Sequence, residues 1–171
     1  VLEHLTERYP VRDSSGRVEI MHITPPFLFD MIDAHLEQRG IDVSELSPSV
    51  IGISGGFLST HTRERIQRAW GAHCHTTFSM SELNGAADEL ADLPGAFRFD
   101  PSVHAEIVHP TSLEHVAPGE TGLLVVSGLY PFHKVMPFIR YVTGDVVERV
   151  NAGPGPVAFR WIGRESDTVD V

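Results

Sequence analysis

The sequence predicts an α/β fold in two parts: a β-α-β-α-β piece with a parallel sheet, and then a small, mainly antiparallel β subdomain. Two observations lead to this prediction. Strand-like and helix-like segments alternate in the first half, whereas the second half contains only short alternating runs separated by turn residues. A chain of 171 residues is also long enough to bury a sizeable core.

The first half contains two helix candidates between apolar segments. Residues 27–39 have apolar side chains at every fourth position, and Gly40 follows where a C-terminal cap belongs. Residues 62–70 form the second candidate, with Ser59 or the next threonine as N-cap and Gly71 at the end. The predicted strands around them are 17–23, 49–54 and 72–78.

The second half reads as short strands only, and we predict a small antiparallel sheet or partial barrel. The pattern changes near residues 91–102, so we divide the chain into an αβ portion, 1–95, and a β subdomain, 96–171. Thr143-Gly144-Asp145 interrupts the alternation, and we expect one strand to end there. The predicted strands are 104–108, 122–129, 138–142, 146–150 and 157–162.

The composition excludes several classes of function. Acidic residues number 23 against 13 basic ones, a net charge of −10, which argues against a nucleic-acid surface. No apolar run approaches the roughly 20 residues of a membrane span. The N-terminal segment has no signal-peptide core, and the single cysteine, Cys74, cannot form an intramolecular disulfide. We therefore expect a cytoplasmic protein.

Two turns of the first half have residue types suited to a nucleotide. Gly55-Gly56 lies between a strand and a capped helix, where backbone can approach a flat or anionic ligand. The alternative, which these two glycines by themselves favour, is an ordinary turn that joins the strand to the helix. Ser81 and Glu82 follow a strand and could hold a phosphate-bound Mg²⁺ through oxygen ligands. The alternative is that Ser81 caps a following helix and Glu82 favours its positive end.

Two further candidates lie in the second half. Asp145 follows Gly144, and a carboxylate fixed there can accept two hydrogen bonds from a ribose diol. The alternative is an ordinary Thr-Gly-Asp hairpin turn. Arg164 suits phosphate and ribose oxygens, although it could belong to a surface charge cluster.

The ten histidines suggest a metal site, but their spacing does not support one. In a strand, His73 and His75 share one face and Cys74 points to the other. Two ligands do not close a zinc site, and a metal-dependent hydrolase needs three or four converging ligands.

Taken in order, these segments resemble motifs of the acyl-adenylate-forming superfamily, most closely its phenylacetate–coenzyme A ligase branch. The similar stretches are "VIGISGGFLST" with "TTFSMSE", then "HAEIVHPTSLEHVAPGETGLLVVSGL", "MPFIRYVTGDVV" and "IGRESD". The match extends roughly over residues 23–167. Four motifs in the family order make the resemblance specific.

The resemblance implies an ATP-dependent conversion of a carboxylic acid, in this branch an aromatic one, into an acyl-adenylate, followed by transfer to coenzyme A. Glu82 would help to bind Mg²⁺ and Ser81 would lie near the α-phosphate, which makes them the catalytic candidates. Asp145 and Arg164 would hold the ribose of ATP or AMP. Gly55, Gly56 and Phe57 would line the adenine and acyl pocket, and Asp167 would be the hinge before a small C-terminal domain.

Two parts of the family pattern are absent from this sequence: the Ser/Thr/Gly-rich phosphate loop and the domain with the catalytic lysine. The chain starts without Met and stops just after the hinge. We therefore expect a piece of a longer ligase that does not turn over alone. The alternative is a non-catalytic nucleotide-binding or scaffolding module derived from such an enzyme. Exposed apolar surface could also make the chain a homo-oligomer.

Overall fold

The computed structural model describes residues 18–43, 46, 48–56, 58–83, 85–135 and 138–167. The chain divides into two compact units, the first up to Thr76 and the second from Thr77. This division comes earlier than the change of architecture expected between residues 95 and 96. The reason is a pair of strands in the second unit that the sequence did not reveal.

The first unit has three parallel strands joined by two helices, as predicted. The strand order is β1-β2-β3, and both neighbouring pairs are parallel. Its strands are β1 (Ile20–Ile23), β2 (Val50–Ile53) and β3 (His73–Ser79), and its helices are α1 (Leu28–Gln38) and α2 (Thr60–Trp70). Among its fully buried side chains are Phe29, Leu36, Ile51, Ile53 and Ile66.

Glycines end both helices, as the sequence predicted. Gly40 follows α1 with a φ of 65°, and its N–H donates to the carbonyl of Glu37 at 3.0 Å. Ile41 N–H donates to Leu36 O at 3.0 Å, which completes a Schellman motif. At α2, the Ser59 hydroxyl accepts from Thr62 N–H, and Gly71 adopts a φ of 63°. The predicted caps Gly40, Ser59 and Gly71 are therefore confirmed.

An indole–carboxylate bond joins the two helices. Trp70 Nε1 donates to Asp33 Oδ1 at 3.1 Å, and the Trp70 ring meets Phe29 edge-on at 5.2 Å between centroids. Burial raises the pKa of Asp33, while the Trp70 hydrogen bond and the charge of Arg65 oppose that rise.

The second unit is an antiparallel sheet that also includes the last three residues of β3. Its order is β3-β4-β5-β9-β8-β7-β6, with a short 3₁₀ turn at Glu165–Asp167 after β9. The strands are β4 (Ala86–Leu90), β5 (Leu93–Phe99), β6 (Val103–Val108), β7 (Thr121–Gly128), β8 (Tyr141–Val150) and β9 (Ala158–Arg164). The predicted antiparallel β subdomain is confirmed.

Four phenylalanine rings form the centre of this sheet's core. Phe159 is fully buried, and its ring centroid lies 5.2 Å from Phe78, 5.7 Å from Phe99 and 6.0 Å from Phe97. Edge-on contacts such as Phe78–Phe159 are favourable aromatic geometries. Because these rings come from β3, β5 and β9, they pack these three strands together in the core of the second unit.

The structure corrects the strand assignment in two places. Strands β4 and β5 were not predicted, and the predicted strands 138–142 and 146–150 are one strand, β8. The expected break at Thr143-Gly144-Asp145 was wrong because that segment is a bulge within β8.

Within the described residues, no helix is long and apolar enough to cross a membrane.

Candidate functional site

The Thr143-Gly144-Asp145 segment is a bulge with more than one extra residue. Residues 143–145 occupy the place on β8 where β7 has only Leu124. Gly144 has a φ of 76°, a conformation that glycine adopts without strain. A bulge bends a strand and redirects its side chains. The hairpin-turn alternative is wrong, because β8 continues to Val150 with its partners on both sides.

The Thr143 hydroxyl replaces regular sheet bonding inside the bulge. Its Oγ1 donates to Leu124 O at 3.1 Å and accepts from Asp145 N–H at 3.0 Å. Thr143 is buried, so both backbone groups would otherwise lack a partner in the interior. The Thr143 hydroxyl therefore satisfies the backbone groups of the bulge, Gly144 supplies its positive φ, and the bulge redirects the Asp145 side chain.

A second bulge lies opposite, in β9. Val146 pairs with Gly163 and Val147 pairs with Trp161, so Ile162 is the extra residue. In a regular ladder, Ile162 rather than Trp161 would lie opposite Val147. The bulge therefore brings Trp161 to the face of the sheet that carries Asp145 and its direct partner Arg164.

Asp145 is a buried carboxylate held on both oxygens, with only 6% of the residue exposed. Oδ1 accepts from Trp161 Nε1 at 2.9 Å, and Oδ2 lies 3.2 Å from Arg164 Nη1. The same Arg164 nitrogen donates to Thr143 O at 2.8 Å. The structure thus brings together two of the predicted nucleotide-binding residues, Asp145 and Arg164.

Glu82 contacts Tyr141, which lies on the same strand as Asp145. The Tyr141 hydroxyl donates to Glu82 Oε1 at 3.3 Å. The pKa of Tyr141 is raised, first by the negative charge of Glu82, with a further rise from Asp145 and an opposing effect of Arg164. The phenol is therefore within electrostatic reach of all three predicted residues. We call Glu82, Tyr141, Asp145, Trp161 and Arg164 the carboxylate cluster.

Ser81 and Glu82 lie in an exposed turn between β3 and β4. The chain goes from this turn into a strand, β4, and not into a helix. The alternative that Ser81 caps a helix was therefore wrong. Both side chains are accessible to solvent, as a phosphate or metal contact requires.

The Gly55-Gly56 turn belongs to the first unit. Gly55 has a φ of 72°, and a side chain there would collide with the Thr24 hydroxyl. A Cβ on Gly56 would lie 3.0 Å from Pro26 Cδ. Close packing against residues 24–26 is thus enough to explain why glycine occupies both positions. Phe57, the third predicted residue of this turn, lies outside the described residues.

The histidine pair shows the strand geometry expected from the sequence. Cys74 is buried, whereas His73 and His75 point to the other face of β3. Across the described part of the chain, no group of three or more His, Cys, Asp or Glu side chains is arranged to hold a metal.

The comparisons with known proteins concern the fold. No protein-family model matches the sequence, and the curated proteins give no match. Solved structures do match. A 2-hydroxyisobutyryl-CoA ligase in complex with 2-HIB-AMP and CoA shares 18% identity at a TM-score of 0.73, over 90% of this chain and 37% of that chain.

Two other structures give the same result. An ATP-bound chimera of RpMatB and BxBclM shares 17% identity over 90% of this chain and 32% of that chain, with a TM-score of 0.68. A benzoate CoA ligase from Burkholderia xenovorans LB400 shares 17% identity over 97% and 34%, with a TM-score of 0.65. The chain therefore has the fold of about one third of an acyl-CoA ligase, and the resemblance seen in the motifs is confirmed at the level of fold.

Proposed function

We propose that this chain is the nucleotide-holding part of an ATP-dependent acid–CoA ligase. The observation that carries the proposal is the Asp145 carboxylate, built into a bulge and fixed by Trp161 and Arg164. A carboxylate has about four lone-pair sites, and these two contacts use one on each oxygen. The two hydroxyls of a ribose can each donate to one of the remaining acceptor sites.

The other residues of the carboxylate cluster fit the same ligand. Arg164 is half exposed, so its guanidinium can serve the ribose while it remains bonded to the bulge. Glu82 offers an exposed carboxylate, and Mg²⁺ is usually held by one or two carboxylates together with substrate phosphates. Ser81 beside it would lie near the α-phosphate. We place Gly55, Gly56 and Phe57 at the adenine and acyl pocket.

The proposed reaction has two steps. The substrate carboxylate attacks the α-phosphorus of ATP and pyrophosphate leaves, and the thiol of coenzyme A then attacks the acyl carbonyl and AMP leaves. Such phosphoryl chemistry depends on positioning and charge neutralisation. The structures similar in fold include one with 2-HIB-AMP and CoA and one with ATP. We propose an aromatic acid as substrate, in keeping with the phenylacetate branch.

The 171-residue chain covers about a third of these ligases, so we propose that it binds nucleotide without completing a turnover. Calorimetric titration with AMP, ATP and a non-hydrolysable acyl-adenylate mimic tests this. Asp145→Asn keeps the size of the side chain and removes its charge, and the exposed Asp92→Asn is the matched control. Because hydrogen bonds to charged groups contribute about 1.5–3 kcal/mol, we expect at least a tenfold loss in Asp145→Asn.

A second experiment tests the reaction class. A longer protein that contains this chain should catalyse acid-dependent exchange of pyrophosphate into ATP, and aryl acids should support faster exchange than alkyl acids. No exchange with any acid of a broad panel would contradict the ligase proposal. AMP binding that depends on Asp145 in a protein without exchange would instead favour the non-catalytic nucleotide-binding module.

A further inference from the structure

Trp161 is a member of the carboxylate cluster that the motif comparison does not assign. Its indole N–H donates to Asp145 Oδ1 at 2.9 Å. The indole ring is partly buried and packs against the core of the second unit. An indole N–H can only donate, so it fixes one direction of approach to that oxygen.

The bulge at Ile162 is what makes this contact available. It places Trp161 opposite Val147, two residues beyond Asp145 on the same face of β8. Ile162 itself is 52% exposed, so the extra residue gains no core packing that would explain the bulge. The local distortion of β9 delivers one hydrogen-bond donor to one carboxylate oxygen.

The two side chains that hold Asp145 are not equivalent. Arg164 is half exposed and also bonds to Thr143 O, whereas Trp161 is anchored by its ring in the apolar core. A long exposed side chain has considerable rotamer freedom, and a packed indole has little. Trp161 is therefore the more rigid of the two contacts.

We infer that Trp161 is a positioning residue that orients Asp145 for a ribose diol. The inference rests on the proposed function, because the orientation of the Asp145 carboxylate matters for function only if a nucleotide binds to it. The indole N–H occupies one acceptor site of Oδ1 and Arg164 occupies one of Oδ2, so each oxygen keeps a second site for a ribose hydroxyl. Loss of the N–H lets the carboxylate rotate, and the paired acceptor geometry is lost.

The test compares AMP with 2′,3′-dideoxy-AMP, which lacks both ribose hydroxyls. In Trp161→Phe we expect the affinity for AMP to fall about tenfold, with little change for the dideoxy nucleotide. A merely structural role would weaken both ligands equally and leave their ratio unchanged. Trp70→Phe is the matched control, because Trp70 makes the same indole–carboxylate contact with Asp33 in the first unit.

The outcomes separate the two ideas. If wild-type protein binds AMP more tightly than the dideoxy nucleotide and Trp161→Phe preserves that ratio, the inference is overturned and the proposed function stands. If the wild-type protein binds both equally or binds neither, the proposed function fails and the inference falls with it. Should Trp161→Phe not fold, benzothienylalanine at position 161 in a Trp70→Phe background decides the question, since it keeps the ring shape and replaces only the N–H.

Discussion

Thr143→Val is the change that most sharply tests how the carboxylate cluster is built. Valine has nearly the shape of threonine, so the substitution removes a hydroxyl and leaves the packing volume unchanged. The hydroxyl donates to Leu124 O at 3.1 Å and accepts from Asp145 N–H at 3.0 Å. Both bonds are buried, and no water can replace the lost oxygen without opening the bulge.

The magnitude follows from the two backbone groups left without a partner. A buried polar group that loses its hydrogen bond costs about 1–3 kcal/mol. Two such groups give an expected loss of at least about 2 kcal/mol from the free energy of unfolding. We also expect weaker AMP binding, because the bulge positions Asp145.

Urea unfolding provides the assay, with Trp161 fluorescence as the signal of the second unit. All proteins carry Trp70→Phe, so that Trp161 is the single tryptophan. Thr121→Val is the matched control, because Thr121 is an exposed residue at the start of β7. If Thr143→Val lies within about 0.5 kcal/mol of Thr121→Val, a typical limit for surface changes, the hydroxyl does not close the bulge and our account of the Thr-Gly-Asp segment is refuted.

Three further predictions concern the same unit. The pKa of Tyr141 is raised, so the stability that its protonated phenol contributes is present below about pH 10 and is lost as pH rises through the folded-state pKa. In Glu82→Gln, tyrosinate absorbance should therefore titrate at lower pH, and an unchanged curve would rule out the Tyr141–Glu82 contact. Gly144→Ala should lower the free energy of unfolding by about 1–2 kcal/mol through backbone strain at a φ of 76°; no clash adds to this, since the nearest atom to the new Cβ is 4.0 Å away. Gly153→Ala is the control for strain alone, because Gly153 has a φ of 71° in the β8–β9 loop and no neighbour near its Cβ among the described residues. If neither variant changed stability, the backbone argument would be contradicted. Phe159→Ala should cost about 3–5 kcal/mol in chemical denaturation, since the ring is fully buried among three other phenyl rings, and a loss below about 1 kcal/mol would show that this aromatic core is not built as described.

Local signals explain why the first unit was predicted well. Gly40, Ser59 and Gly71 act within one helical turn of their own position, so the cap of each helix is visible in a few neighbouring residues. The parallel order of β1, β2 and β3 follows from the alternation of strands with helices. These features need no knowledge of distant contacts.

The hairpin of β4 and β5 was missed from the sequence because its strands lack such local signals. The segment 86–99 contains acidic residues together with Pro94 and Gly95, all of which are unfavourable or rare in strands. The structure compensates locally, since Gly95 N–H donates to the Glu89 carboxylate at 2.6 Å and the register shifts between Glu89 and Leu90. Such an irregular pair has no alternating pattern that a sequence could show.

Only part of the candidate site was predicted from the sequence, because the rest depends on contacts between strands. Asp145, Arg164 and Glu82 came from recognisable motifs; the structure brings the first two into contact, and the third bonds to Tyr141, which lies on the same strand as Asp145. Trp161 was missed because its position depends on the bulge at Ile162, which the strict alternation of side chains cannot reveal. A bulge is set by pairing with the next strand, and that information is not local.

The distance from the Asp145 carboxylate to the ribose of bound AMP tests the central claim most directly. A crystal structure of the chain grown with AMP should place the 2′ and 3′ hydroxyls within hydrogen-bond range of the two oxygens, with the Trp161 N–H still bonded to Oδ1. A nucleotide bound elsewhere, or a carboxylate untouched by the sugar in fully occupied crystals, would contradict the account.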